Sequence, residues 1–267
     1  MKVRTARRYL RLLRVQLRMS LITGMQYRIE FLLKGGMALF WLAVTVIPAR
    51  IVFSHVNDVQ GWTEPALLVV VAWFSLLKAV LEGGVTPSLT AVVEGVRNGS
   101  LDFVLLKPAD AQFLVSSQKF EPWRVMDFLG AGAIFIYAFH KLGHWPRPGD
   151  VLTAGLLLVV AVLLLYSIWI LVVSAAFWVV RMDNLSYLFQ SIFDAGRWPV
   201  TVFKGALQMI FTVIFPLALM TTFPAEALLG RLTASTAALA LLGGAAFAVA
   251  ARLVWLRAVR LYTSASS

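Results

Sequence analysis

VLTAGLLLVVAVLLLYSIWILVVSAAFWVV, residues 151–180, is a run of thirty residues without a formal charge. A helix needs about 20 apolar residues to cross a bilayer, so this run is long enough to cross with some tilt. Hydrophobic residues make up 60% of the chain and charged residues 14%, and the mean hydropathy is +0.81. No ordinary soluble domain has that composition. The sequence therefore predicts an all-α polytopic membrane protein.

Five more apolar stretches flank this run, and together they predict a single transmembrane domain over residues 1–267 with six transmembrane helices. The predicted spans are about 29–53, 65–91, 120–141, 151–180, 200–222 and 234–256. The third has a short apolar part, so we expect it to continue a preceding helix. Pro216 is expected to kink the fifth, where neighbouring helices can satisfy the freed carbonyl.

Residues 1–28 contain no acidic residue and predict an amphipathic interfacial helix. At about 100° per residue the arginines fall on one face and the leucines on the opposite face. Such a helix lies in the headgroup layer, where its arginines bind anionic lipids. The residues concerned are Arg4, Arg7, Arg8, Arg11, Arg14 and Arg18, and Leu10, Leu13, Leu17 and Leu21.

Other interpretations of this basic segment carry less weight. A secretory signal would need an apolar region close behind the charges and a small-residue cleavage site, and neither is present. A mitochondrial presequence shares the arginine-rich, acid-poor character and stays open. A basic arm for nucleic acid is disfavoured by the membrane segments that follow, so we expect no nucleic-acid partner.

The distribution of Lys and Arg predicts the orientation. With both termini in the cytosol, nineteen of the 24 basic residues fall on the inner side, four fall on the outer side, and Lys78 lies within a span. The opposite topology would reverse this ratio, which conflicts with the positive-inside rule. We therefore expect cytosolic N and C termini.

Two charges lie deep in the second predicted span. Lys78 and Glu82 are one helical turn apart, and an isolated charge at that depth is costly, so we expect them to pair or to line a polar cleft. They are either part of a substrate path or a neutralised pair that only orients helices.

Residues 97–108, RNGSLDFVLLKP, interrupt the apolar segments on the predicted cytosolic side. Gly99 tolerates positive φ, and Pro108 disfavours helix at Lys107. The spacing predicts a turn, one or two helical turns and a stop. From spacing alone, an ordinary loop turn followed by an apolar run in the interfacial zone is the preferred interpretation.

Three stretches, in this order, resemble a subgroup of type-2 ABC exporter permeases. They are Asn98-Gly99-x-Leu101-Asp102-x-x-Leu105-Leu106-Lys107-Pro108, Phe177-Trp178-x-x-Arg181-x-Asp183-Asn184-Leu185 and Phe223-Pro224-Ala225-Glu226-Ala227-Leu228-Leu229-Gly230. In that family the loop after the second span carries the coupling helix that docks on the ATPase. The resemblance implies this role for the eight named residues of the first stretch.

The resemblance also implies partners. Two copies of a separate ATPase subunit would bind ATP and Mg, and a second permease chain, identical or homologous, would complete the path in a bacterial inner membrane. Family members export drugs, lipids and glycans, and the subgroup leans towards small amphiphilic or cationic compounds.

Two further connections carry candidate residues. Arg181, Asp183 and Asn184 open a predicted cytosolic connection over 181–199, which either contacts the ATPase, gates the substrate, or ties the fourth span to the fifth through salt bridges. In the outer connection, Pro224 at a helix start and Gly230 past its end predict a short capped helix, with Glu226 in its first turn. The resemblance implies re-entrant helices near the outer gate there.

The chain lacks the motifs of self-sufficient chemistry. It contains no phosphate-binding P-loop, no Gly-x-Ser-x-Gly and no His-Glu-x-x-His, and there is no cysteine. His140 and His144 have no nearby third ligand, so no metal site is predicted. We therefore expect a non-enzymatic permease subunit that binds no cofactor itself. A secondary transporter or channel working without an ATPase is the alternative, and a membrane-embedded enzyme ranks third.

Overall fold

The computed structural model describes residues 2–175 and 183–261, and the regular secondary structure of these residues is helical throughout. The α-helices are α1 (Lys2–Gln26), α2 (Arg28–Phe53), α3 (Glu64–Val80), α4 (Thr86–Arg97), α5 (Leu101–Leu105), α6 (Ala111–Ser116), α7 (Val125–Leu142), α8 (Pro148–Ala175), α9 (Asp183–Asp194), α10 (Ala206–Met209), α11 (Phe223–Leu228) and α12 (Ala234–Leu261). Short π-helical turns cover Leu81–Val85, Ile210–Ile214 and Ala218–Thr222.

Five of the described helical stretches are long and apolar enough to cross a membrane. They are Arg28–Phe53, Glu64–Val92, Pro122–Leu142, Pro148–Ser174 and Ala234–Arg260, and a bent pair of helices would make a sixth if it counts as one span. The prediction of an all-helical, multi-span membrane protein is therefore confirmed. Residues 176–180, which end the predicted fourth span, lie outside the described residues.

Helix α3 forms the centre of the bundle. Its residues from Ala66 to Phe74 are all buried, and it packs against α7, α2 and α8. Helix α8 packs on its other side against α12. By contrast, α2 and α12 bury only a small share of their apolar surface within the chain. These two helices consequently present the surfaces available to lipid or to another subunit.

The fifth predicted span is not one helix. Helix α9 and the residues after it run along α3, because Gln190 lies at the level of Glu82 and the Trp62 indole donates a hydrogen bond to the Thr201 hydroxyl (2.9 Å). The stretch 181–199 was predicted as a cytosolic connection. Its described part instead follows α3 over much of the helix's length.

The bent pair comes next, with Ala206–Ile214 and Ala218–Leu228 inclined at 70° around Phe215 and Pro216. Thr201 precedes it at Trp62, and Arg231 follows it with a hydrogen bond to the Gly61 carbonyl (3.3 Å). Both ends of the pair therefore lie beside the loop 54–63. Pro216 breaks the helix as expected, and the two arms meet there at a 70° bend, so 200–222 is not one straight helix.

The N-terminal helix α1 leaves both of its long faces largely open. Arg7, Arg11, Arg14 and Arg18 are exposed, and so are Leu10, Leu17 and Leu21. The helical conformation is interrupted at Tyr27, and α2 begins at the next residue. This arrangement is the one expected of a helix whose apolar face is covered by something other than its own chain.

Close packing between α8 and α12 depends on Gly244. A Cβ there would lie 2.4 Å from Val160 Cγ1, whereas a Cβ on the neighbouring Gly243 would meet no atom within 4 Å. Val160 is buried, and its β-branched side chain cannot rotate away cheaply. We therefore expect Gly244→Ala to destabilise the protein by about 1–3 kcal/mol. Thermal unfolding of the purified protein measures this.

The matched control is Gly243→Ala. Alanine is a better helix former than glycine by up to about 1 kcal/mol, so this variant should melt at or slightly above the wild-type temperature. Equal melting of the two variants would contradict the assigned packing.

Candidate functional site

The segment 97–108 is called the coupling segment here, after the role that the sequence resemblance implies. It has the local structure that its sequence predicts. Gly99 has φ +75°, and the Asn98 side chain accepts a hydrogen bond from the Ser100 amide (3.0 Å). The five-residue helix α5 follows, and its last turn closes when the Lys107 amide donates to the Val104 carbonyl (3.2 Å). The segment is consequently a turn and a short helix held by its own backbone.

One face of α5 points away from the protein. Leu101 is buried, and Val104 and Leu105 pack against the hydrophobic core. Phe103 and Leu106, three residues apart on the helix, are 72% and 81% exposed. The sequence motif assigned Leu105 and Leu106 to the ATPase contact and left Phe103 out. The structure pairs Phe103 with Leu106 as the exposed apolar residues, which i, i+3 spacing on a short helix could have indicated.

The other motif residues lie in or beside α5, and the segment also contacts helix α1. Asn98, Lys107 and Pro108 are exposed, Gly99 and Asp102 are half-buried, and the Asp102 carbonyl accepts from the Leu106 amide (3.1 Å). The Arg8 guanidinium donates to the Pro108 carbonyl. The segment is thus tied back to helix α1.

Asp110, just after the coupling segment, connects it to the last helix. Its carboxylate accepts from the Phe113 amide (3.0 Å), which caps α6, and from Arg252 of α12 (2.7 Å). Its amide donates to the Tyr9 hydroxyl (3.0 Å). Partial burial raises the pKa of Asp110, but the hydrogen bonds from Arg252 and Phe113 and the charge of Arg252 outweigh it and hold the pKa below its ordinary value.

This contact should stabilise the protein in a pH-dependent way. Because the folded-state pKa of Asp110 is lowered, the stabilisation is present above the ordinary carboxyl pKa and is lost as pH falls through the lowered value. Both side chains are about two-fifths exposed, so we expect Arg252→Gln to cost only about 0.2–1 kcal/mol at pH 7. The difference in melting temperature from wild type should shrink towards pH 3.

Arg257→Gln, five residues further along α12, is the control and should show no such pH dependence. A wild-type to Arg252→Gln difference that stays constant from pH 7 to pH 3 would contradict the role assigned to the Asp110 carboxylate.

A second set of residues surrounds the predicted Lys78 and Glu82 pair. The two side chains lie 3.7 Å apart, but Glu82 also contacts Arg124 directly and accepts a hydrogen bond from Gln190 (3.3 Å). Arg124 contacts Asp127 (2.9 Å), and Lys78 contacts Asp194 (3.5 Å). We call Lys78, Glu82, Arg124, Asp127 and Asp194 the charge cluster.

Local structure lets these groups meet. Glu82 lies in the π-helical turn Leu81–Val85, and the Gly83 carbonyl accepts a hydrogen bond from the Glu121 amide (2.8 Å). A Cβ on Gly84 would lie 3.3 Å from the Phe120 ring. Because Gly83 and Gly84 have no side chains, the segment 119–124 packs closely against the π-helical turn at the end of α3. The contact of Arg124 with both Glu82 and Asp127 was not predicted from the sequence.

A groove of about 470 Å³ opens over the charge cluster, between α2, α3 and the start of α7. Its apolar lining includes Leu33, Met37, Trp41, Leu42 and Phe74. Its polar lining includes Lys34, Thr45, Ser75, Lys78, Glu82, Trp123, Arg124 and Asp127. This volume lies in the range of small-molecule sites, roughly 300–1,000 Å³.

The remaining predicted residues lie elsewhere. Arg181 is outside the described residues, and Asp183 and Asn184 open α9, where only the backbone is described. Pro224 and Glu226 belong to the second arm of the bent pair, and Gly230 follows its end. Gly230 has φ +68° and the Arg231 amide donates to the Glu226 carbonyl (2.8 Å), so this helix ends as predicted. Its start differs, because α11 continues directly from the turn Ala218–Thr222.

Comparison with known proteins gives one match. A protein-family model described as ABC-2 family transporter protein matches residues 39–266. No curated protein matches the chain, and no solved structure matches it. The matched residues include the coupling segment, the charge cluster and the bent pair.

Proposed function

The chain belongs to the ABC-2 family of transporter membrane proteins, and we propose that it is the permease subunit of an ATP-driven exporter. Permeases of this family do not themselves hydrolyse ATP. A separate ATPase subunit, present in two copies, would bind ATP and Mg and carry out the bond-breaking chemistry. This chain would bind neither and would form half of the path across the membrane.

The observation that carries the proposal is the exposed apolar pair Phe103 and Leu106 on a short, braced helix. Two large apolar side chains at these exposures are typical of a protein contact rather than of a solvated loop. Bracing by α1 and α12 means that a push on α5 would move the bundle instead of bending a flexible loop. We assign α5 to the contact with the ATPase.

The coupling would act through α3 and α4. The coupling segment follows α4, which the π-helical turn joins to α3. Lys78 lies on α3, and Glu82 lies in the turn. Closure of the ATPase dimer would displace α5 and tilt these helices, so that the path alternates between inward-facing and outward-facing states. Arg181, Asp183 and Asn184 are candidates for a second cytosolic contact, and the bent pair with Pro224, Glu226 and Gly230 for an outer gate.

The orientation we propose has both termini and the coupling segment in the cytosol of a bacterial inner membrane. Because α9 runs along α3, we no longer count Arg197 among the inner basic residues. Lys204 is counted as an outer basic residue, because the nearby Thr201 contacts Trp62 in the loop 54–63. Seventeen basic residues then remain inside against five outside, so the bias persists. Helix α1 would lie on the inner leaflet and bind anionic lipids.

A second chain is part of the proposal. Helices α2 and α12 and the groove leave much apolar surface uncovered. An identical or homologous permease would enclose the path from the other side.

The alternative is a secondary transporter or channel that works without an ATPase. Three carboxylates in the charge cluster favour it, because acids at membrane depth are typical of ion-coupled transport. Purification of the tagged chain from its own membrane separates the two. We expect an ATP-hydrolysing subunit to co-purify, whereas uphill transport by the isolated chain in vesicles would overturn the proposal.

A further inference from the structure

The groove over the charge cluster has an apolar wall along α2. Leu33, Met37 and Trp41 lie at four-residue spacing and are each more than half exposed. Four-residue spacing puts them on one face of the helix, so they form a continuous stripe. Such a stripe next to a charged floor fits a molecule with an apolar chain and a polar head.

The charged floor presents cations more than anions. The side chains of Glu82 and Asp127 are only 12% and 11% exposed, and Arg124 contacts both. The Lys78 side chain is 34% exposed, and the acceptors of its ammonium lie at 3.5 and 3.7 Å, beyond the usual 2.7–3.2 Å range of an N–H···O bond. Lys34 also lines the groove, but its ammonium is paired with the exposed Glu30 carboxylate at 2.8 Å. Asp194 is about one-third exposed but does not line the groove. A ligand in the groove therefore meets the Lys78 ammonium before the carboxylates of Glu82 and Asp127.

The aromatic rings at the groove do not favour a cationic ligand. The Arg124 guanidinium lies over the Trp123 ring at 4.0 Å, and the Lys78 ammonium lies 6.0 Å from the Phe74 ring centre. Both contacts are cation–π interactions, so the protein's own cations occupy two of the three rings. Only Trp41 is left, and it is part of the apolar stripe.

We infer that this groove binds an amphiphile whose head group is an anion, such as a carboxylate, with Lys78 as the anchoring residue and the Leu33, Met37 and Trp41 stripe as the seat of the apolar chain. An ammonium offers three donors, and a bound anion would replace the long contacts to Glu82 and Asp194 with short ones. That the bound amphiphile is the exported cargo rests on the proposed function. The binding itself does not.

The test uses dansyl-labelled undecanoate, a fluorescent fatty acid, and the purified full chain in phosphatidylcholine nanodiscs without nucleotide. Binding is read as energy transfer from tryptophan to dansyl, after subtraction of the signal from empty nanodiscs. We expect saturable binding that Lys78→Gln weakens about tenfold and that Lys78→Arg retains, because a lost charge-assisted hydrogen bond has roughly that effect. A cationic analogue with an ammonium in place of the carboxylate should bind more weakly.

A second pair of variants leaves the charge cluster intact, in case Lys78→Gln fails to fold. Met37 lines the groove and makes no ion pair in the described structure. Met37→Lys should tighten binding of the anionic probe, and Met37→Glu should weaken it, each by several-fold. Equal affinity of these two variants, or preference for the cationic analogue, would overturn the inference.

Failure here is distinguishable from failure of the proposed function. Probe binding needs neither ATP nor a partner, and capture of an ATPase needs no probe. If the groove binds the anionic probe but the chain captures no ATPase, this inference stands and the exporter assignment is overturned. If the chain captures an ATPase but the groove does not bind the probe, the exporter assignment stands and this inference is overturned.

Discussion

Replacing Phe103 and Leu106 together with aspartate is expected to abolish capture of the ATPase subunit while the permease still inserts and purifies. Both side chains are exposed, so the change costs little folding free energy, but an interface would have to bury two carboxylates. Apolar anchors of this kind contribute about 2 kcal/mol each, and their joint loss should lower capture by roughly 100-fold or more. The measurement is ATPase activity co-purified per mole of tagged permease.

Two comparisons make this result specific. Val56→Asp changes an exposed apolar residue in the loop 54–63, at the other end of α3, and should leave capture unchanged. Leu105→Asp places a charge against the core and should reduce the yield of folded permease instead. Undiminished capture by the double variant would exclude α5 as the contact.

Arg124→Gln is expected to be among the most destabilising single changes in the chain. It leaves the carboxylates of Glu82 and Asp127, both largely buried, without their shared partner. Removal of one member of a buried ion pair typically costs about 3–5 kcal/mol, because the remaining charge stays desolvated. Melting temperature in detergent or nanodiscs should fall, by on the order of 10 °C.

The double variant Arg124→Gln, Glu82→Gln should recover part of that loss, since it removes one of the two stranded carboxylates. Lys119→Gln is the control. Its pair with Glu121 is long at 3.8 Å and its side chain is mostly exposed, so the effect should stay below about 1 kcal/mol. Simple additivity of Arg124→Gln and Glu82→Gln would show that the two groups are not coupled.

The coupling segment illustrates what a local pattern can predict. Positive φ at Gly99, the short helix and its end before Pro108 depend on a few neighbouring residues, and all were predictable from the sequence. Which apolar side chains of that helix face outwards was not. Leu105 is half-buried only because α5 packs on the core of the bundle, and that orientation follows from the positions of other helices.

The charge cluster shows the same limit over longer distances. Lys78 and Glu82 are one turn apart on a helix, so their proximity was predictable. Arg124 and Asp194 come from segments 42 and 112 residues beyond Glu82, and no periodicity connects them. The need to neutralise charge at membrane depth indicated that partners exist, but not which they are.

Composition and the spacing of apolar residues were sufficient to determine a multi-span helical membrane protein, since about 20 apolar residues in a row have few other stable environments. Hydropathy measures how long and how apolar a stretch is, and it carries no information about direction. The 70° bend of the chain at Pro216, the passage of α9 along α3 and the gathering of distant charges beneath one groove were therefore decided by the tertiary structure. There the path of each segment depends on the helices that it packs against and on the distant polar groups that it pairs with.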